Sequence, residues 1–138
     1  MALHVETPLV ESIPLSRASG REVFLKLEAI QPAGSFKLRG IGRLCEERAR
    51  EGALRFIAPS GGNAGYAAAW AARQLGLGAI VVVPVTTSRE ARDTITRLGA
   101  EVRVEGSNWN EANEVALSMA KSDSRAAYIH PFDDPVMW

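Results

Sequence analysis

Ala79-Ile80-Val81-Val82-Val83 is an unbroken apolar run, β-branched at four of its five positions and ended by Pro84. A strand with one wetted face alternates apolar and polar residues. A run without alternation suits a strand covered on both faces, as in a parallel sheet with helices above and below it. Outward from this run the chain keeps one rhythm. Residues 54–58 read as a short apolar strand, and residues 64–75 as an alanine-rich helix closed by Gly76 and Gly78. Downstream, residues 88–98 read as a helix with Ser88 as N-cap and Gly99 as C-cap. Residues 101–105 alternate as a strand. Residues 108–121 form a helix carrying Trp109, Ala112, Val115, Ala116 and Met119 on one side. Residues 126–129 make the last strand.

Upstream, residues 21–28 alternate as a strand, with Val23, Leu25 and Leu27 on one face. Residues 36–50 read as a helix that ends at Gly52, with Ser35 as its N-cap. Residues 1–21, with Thr7-Pro8-Leu9-Val10, Pro14 and Gly20, read as an extended lead-in with turns and no helix. Five strands alternating with four helices predict an α/β fold: a parallel sheet with helices on both faces. In such sheets ligands bind outside the carboxyl ends of the strands. The loop that leads into Lys37 and the Ser60–Gly65 loop both follow strands, so both are expected on that edge.

The bulk numbers exclude several classes. The chain has 138 residues, enough for one domain with a real core. Hydrophobic content of 46% and charged content of 23% are those of an ordinary globular protein. Sixteen basic residues balance sixteen acidic ones, which argues against a nucleic-acid or membrane-surface partner. The single cysteine, Cys45, excludes an internal disulfide and a multi-cysteine metal cluster. Asp133 and Asp134 are too few ligands for a hard cation and read as a solvated turn, so no metal site is expected. His4 reads as a surface residue, His130 as structural, Cys45 as a small buried residue and Trp109 as core. There is no signal-peptide pattern and no run long enough to span a bilayer, and a cytoplasmic location is expected.

Two stretches carry chemistry. Gly34-Ser35-Phe36-Lys37-Leu38-Arg39-Gly40 places a lysine at a helix start, where the helix dipole disfavours an ammonium. Such a lysine is expected to have a lowered pKa and to serve as a neutral amine, the nucleophile of Schiff-base chemistry. The bland alternative is a solvent-facing lysine. Ser60-Gly61-Gly62-Asn63-Ala64-Gly65 has three glycines in six residues and opens a helix. Its backbone N–H groups can cradle a carboxylate or phosphate, and the Asn63 amide can bond a ring hydroxyl. The alternatives are a tight strand-to-helix turn or a dinucleotide loop, although the G-x-G-x-x-G spacing is absent. An amine and an anion cradle on one edge suggest pyridoxal phosphate.

Ser35-Phe36-Lys37-Leu38-Arg39-Gly40, preceded by Glu28 and Gln31-Pro32, resembles the cofactor-attachment motif of serine/threonine dehydratases. Ser60-Gly61-Gly62-Asn63-Ala64-Gly65 resembles their substrate-carboxylate loop, in the form of the catabolic serine dehydratase branch. Tyr128-Ile129-His130-Pro131-Phe132-Asp133-Asp134-Pro135 resembles a third segment of that family. Ala29, Ala33 and Pro59 depart from the family's usual residues, which bears on substrate preference more than on cofactor.

The resemblance implies pyridoxal 5'-phosphate as cofactor and Lys37 as Schiff-base lysine and base. It implies that Phe36 lies against the cofactor ring and Asn63 bonds the ring hydroxyl. Ser60, Gly61, Gly62 and Ala64 would hold the substrate carboxylate. The reaction implied is loss of water from L-serine or L-threonine, giving a 2-oxo acid and ammonia. The alternatives are a non-catalytic remnant that binds a partner and a β-replacement enzyme of the cysteine synthase type. By resemblance, residues 1–34 are a lead-in and strand of a larger domain. Residues 35–138 are the small α/β domain of a tryptophan synthase β-like fold. Family members are much longer and carry a later phosphate-binding loop and a partner for the pyridine nitrogen. This chain is therefore expected to be a truncated portion, inactive alone, of an enzyme that forms a homodimer.

Overall fold

The computed structural model describes residues 2–138. In chain order the elements are β1 (Leu9–Glu11), α1 (Ile13–Ser19), β2 (Phe24–Lys26), α2 (Lys37–Arg50), β3 (Arg55–Ala58) and α3 (Asn63–Leu75). Then follow β4 (Gly78–Val83), α4 (Arg89–Arg97), β5 (Glu101–Val104), α5 (Trp109–Ser122) and β6 (Ala126–Tyr128). Short 3-10 turns lie at Glu28–Ile30 and Pro135–Met137.

β3 to β6 form one parallel sheet in the order β5-β4-β3-β6. The apolar run of β4 is explained by its two faces. Ala79, Val81 and Val83 pack into a core built with α2, α3 and Ile95 of α4, while Ile80 and Val82 join Ile57 against Ala112 and Ala116 of α5. Helices thus cover both faces, as the alternation predicts. The alanines of α3 are buried because α3 is wedged between α2 and strands β3 and β4, where larger side chains would not fit. Edge strand β5 is half charged, and its exposed Glu101 and Arg103 pair at 2.8 Å. Charge on an edge strand discourages further pairing. The expected Ser88 cap forms, its hydroxyl accepting the Ala91 N–H at 3.2 Å; α5 is capped in the same way by Asn108, whose side chain accepts the Glu111 N–H at 3.2 Å.

Three expectations are corrected. The first strand lies outside the parallel sheet: β2 pairs antiparallel with β1, in the register Leu9 to Lys26. The lead-in, expected to lack a helix, contains α1. Pro14 sits in the first turn, where a missing N–H costs nothing. Gly20 closes the helix at φ 68°, donating its N–H to the Ser16 carbonyl. Proline and glycine here bound a helix instead of breaking one. Finally, Ser35 does not cap α2. Phe36 already has helical angles (φ −56°, ψ −20°), no side chain caps the helix, and Ser35 Oγ is buried without a hydrogen-bond partner.

Candidate functional site

Lys37 is the first residue of α2. The apolar positions Leu38, Ile41, Leu44 and Cys45 recur at helical spacing and are fully buried, which sets the rotation of the helix. Lys37 is thereby carried to the sheet's carboxyl edge by helix packing, not by a preceding strand of that sheet. Its Nζ donates to the Pro131 carbonyl, just past β6, at 2.8 Å. It lies 5.7 Å from the centroid of the Phe36 ring and 5.8 Å from that of Phe132. Phe36, Lys37, Gly40, Phe132 and Met137 are among the walls of a cleft of about 250 Å³.

A polar clamp fixes the approach to this helix. Arg39 grips the Glu28 carboxylate with two hydrogen bonds, of 2.9 and 2.8 Å. The Thr7 hydroxyl donates to Glu28 at 2.6 Å, and Gln31 Nε2 donates at 3.2 Å. Gln31 also bonds both backbone groups of Val5. The hydrogen bond from Arg39, then that from Thr7, holds the Glu28 carboxyl down at about 2. Charge-assisted, bidentate pairs of this kind are the strong ones. Glu28 and Gln31 flank the lysine motif in the sequence; the structure shows that they orient the helix that carries it.

The second loop leaves β3 at Pro59, which is buried. Its glycines are needed for different reasons. A Cβ on Gly65 would collide with the Ser60 carbonyl oxygen, and one on Gly61 would come within 2.6 Å of the Thr87 methyl. A Cβ on Gly62 would meet nothing, so open space lies there. The first N–H groups of α3 have no preceding helical carbonyl and are available to an anion. Gly62 and Asn63 are exposed and Ala64 is buried, which leaves its backbone as the usable part.

The structure brings Lys37 and Phe36 into one cleft. Ser60, Gly61, Gly62, Asn63 and Ala64 do not line that cleft; they sit at the neighbouring strand end. β3 and β6 are adjacent and parallel, so their carboxyl ends, and the loops that leave them, lie side by side. The carboxyl edge of a parallel α/β sheet is where such folds bind ligands. Trp109 spans it: its indole N–H donates to the Pro59 carbonyl at 2.6 Å, and its ring lies 5.6 Å from that of Phe132. The assignment of Trp109 to the core is therefore corrected, because α5 begins at the sheet edge and points its first residue across it. Pro131, Phe132 and Thr87 were likewise missed; their roles depend on neighbours distant in sequence.

The remaining singled-out residues are structural. His130 Nδ1 accepts the N–H groups of Phe132 (3.3 Å) and Asp133 (2.8 Å) and shapes the turn that presents Phe132. Asp134 is not merely solvated. It accepts the Val136 N–H at 3.0 Å and pairs with Arg48 at 3.3 Å, because the chain folds back over α2. Burial pushes the Cys45 thiol well above its ordinary value. No group of three or more acidic, His or Cys side chains suited to a metal occurs among the described residues. No helix among them is long and apolar enough to cross a membrane.

A family model described as pyridoxal-phosphate dependent enzyme matches residues 2–138. The chain is 48% identical over 136 residues to the L-serine dehydratase/L-threonine deaminase of Homo sapiens, covering 99% of this chain and 42% of that protein. It is 49% identical over 135 residues to the serine dehydratase-like protein of Homo sapiens, covering 98% and 41%. Among solved structures, a fungal L-serine ammonia-lyase from Rhizomucor miehei superposes with a TM-score of 0.92 at 35% identity, covering 100% of this chain and 44% of that one. The chain thus spans about 42% of the length of the curated relatives it matches.

Proposed function

Because the chain belongs to the pyridoxal-phosphate-dependent enzyme family, we propose that it carries the amine-bearing part of a site that removes water from L-serine and L-threonine. The net products are a 2-oxo acid and ammonia. One observation carries the reading: Lys37 Nζ is held at 2.8 Å from the Pro131 carbonyl, at the carboxyl edge of the sheet where the adjacent strand β3 presents the glycine loop. The residues present fit the cofactor. There is an amine between two aromatic rings, an orphaned hydroxyl on Ser35, and open space at Gly62 beside unpaired helix N–H groups.

The bound cofactor supplies a sink for the electron pair left on the substrate's α-carbon. The chain's own residues do the rest. Lys37 Nζ would hold the cofactor and, as a free amine, would take the α-proton of the substrate. Phe36 would lie against the cofactor's ring, and Asn63 would bond its ring hydroxyl. The Ser60 hydroxyl and the N–H groups of Gly61, Gly62 and Ala64 hold the substrate carboxylate and orient the Cα–H bond toward the lysine. In the same reading residues 1–34 belong with a larger domain and residues 35–138 form a small one. Supporting this, the apolar side chains of the β1–α1–β2 ribbon stay exposed while those of the central strands β3 and β4 are buried.

The test is Lys37→Ala in the protein that carries this chain. Release of 2-oxo acid from L-serine is expected to fall by about 10²–10⁴-fold, the scale of a lost acid–base group. The lysine-dependent absorbance of added pyridoxal phosphate should disappear with it. Survival of that absorbance would rule out Lys37 as the attachment residue.

A further inference from the structure

Trp109 joins three segments that are far apart in sequence. Its Nε1 donates to the Pro59 carbonyl at 2.6 Å, where β3 opens into the glycine loop. Its ring lies against Phe132, with centroids 5.6 Å apart and planes inclined at 36°. Phe132 is also braced edge-on by His130, 4.8 Å away. The Phe132 ring is 5.8 Å from Lys37 Nζ, and the residue before it supplies the carbonyl that holds that amine. A residue that only filled space would not need an indole N–H. Tryptophan is favoured where an apolar body and a polar handle are both used.

We propose that Trp109 is a positioning residue, tying the Pro59 end of the glycine loop to the Pro131–Phe132 turn and so setting how Lys37 Nζ is held. Its functional consequence rests on the reading of Lys37 as the reactive amine; the positioning itself does not. No catalytic role is assigned to Trp109, which reaches the lysine only through Phe132 and Pro131.

The three lysines of the chain make an internal control set. Lys26 Nζ is bonded to the Thr7 carbonyl at 2.6 Å in the N-terminal ribbon, and Lys121 is exposed on α5. Reductive methylation with formaldehyde and borohydride, resolved by peptide mass spectrometry, reads each amine separately. Trp109→Ala is expected to raise the Lys37 rate by about fivefold, the factor that one net hydrogen bond is worth, with Lys26 and Lys121 unchanged. Trp109→Phe keeps a ring and loses the N–H, and should raise it by about twofold. If Lys26 rises together with Lys37 in Trp109→Ala, the whole fold has loosened, and Trp109→Phe decides. An unchanged Lys37 rate in both variants, or a rise shared by Lys26 in both, overturns the proposal.

A second arm substitutes pyridoxal phosphate for formaldehyde. The parent protein should be labelled at Lys37 in preference to Lys121, and Trp109→Ala should lose that preference. A parent without the preference would refute the cofactor role of Lys37, while the methylation arm would still decide the role of Trp109.

Discussion

The β1–α1–β2 ribbon and the parallel sheet use similar side chains and hold them differently. In the sheet, Phe56 is fully buried and Val81, Val82 and Val83 are inaccessible. In the ribbon, all six strand residues are exposed, α1 buries nothing, and Leu9 and Phe24 are 62% and 53% exposed. A two-stranded ribbon cannot cover its own apolar face and is marginal alone. What holds it is polar. The Ser12 N–H bonds the Val23 carbonyl at 2.8 Å and the Val23 N–H bonds the Ser16 hydroxyl at 2.9 Å, while Glu28 and Arg39 fasten the following segment to α2. Hydrophobic burial makes the sheet. Directed hydrogen bonds set the ribbon beside it, and α2, which carries Lys37, starts where the two meet.

The largest test of this contrast is Phe56→Ala. Emptying a fully buried aromatic site is expected to cost about 3–5 kcal/mol in chemical denaturation, enough to threaten the fold. A loss near zero would mean that the sheet core is not what holds the molecule.

Acid should act next, and on the ribbon first. The Glu28 carboxyl is held at about 2 against an ordinary 4.5. Its contribution is complete above the ordinary value and is lost as pH falls from 4.5 toward 2. Hydrogen exchange should therefore show the amides of Ser12, Val23 and Leu27 losing protection across that window while those of β4 keep theirs. Arg39→Met removes the main cause of the shift and should move the loss up toward 4.5. Simultaneous loss in both regions would mean that they open as one unit.

The smallest effect is expected from Phe24→Ala. With its side chain mostly in water, the change should stay within about 0.5 kcal/mol of the parent in the same denaturation experiment. A cost comparable to that of Phe56→Ala would show that the ribbon's apolar side chains are covered in solution.

Much of the fold was legible in the chain because its signals are local. The unbroken β4 run, the alternation of strands and helices, and the cap at Ser88 each depend on neighbours a few residues away. So do the two loops that hold Lys37 and the residues around Gly62. The ribbon was misread because Pro14 and Gly20 punctuate both turns and helix ends, and only the pairing of Leu9 with Lys26 separates the cases.

By itself, then, the sequence determined the α/β layering, the two chemical loops and the family they resemble, since periodicity and residue type are properties of the chain. Tertiary structure alone decided which carbonyl holds Lys37, 94 residues away, and which loop Trp109 anchors, 50 residues away. Those contacts form only when β3 and β6 become neighbours, and no local pattern records that two distant strands will lie side by side.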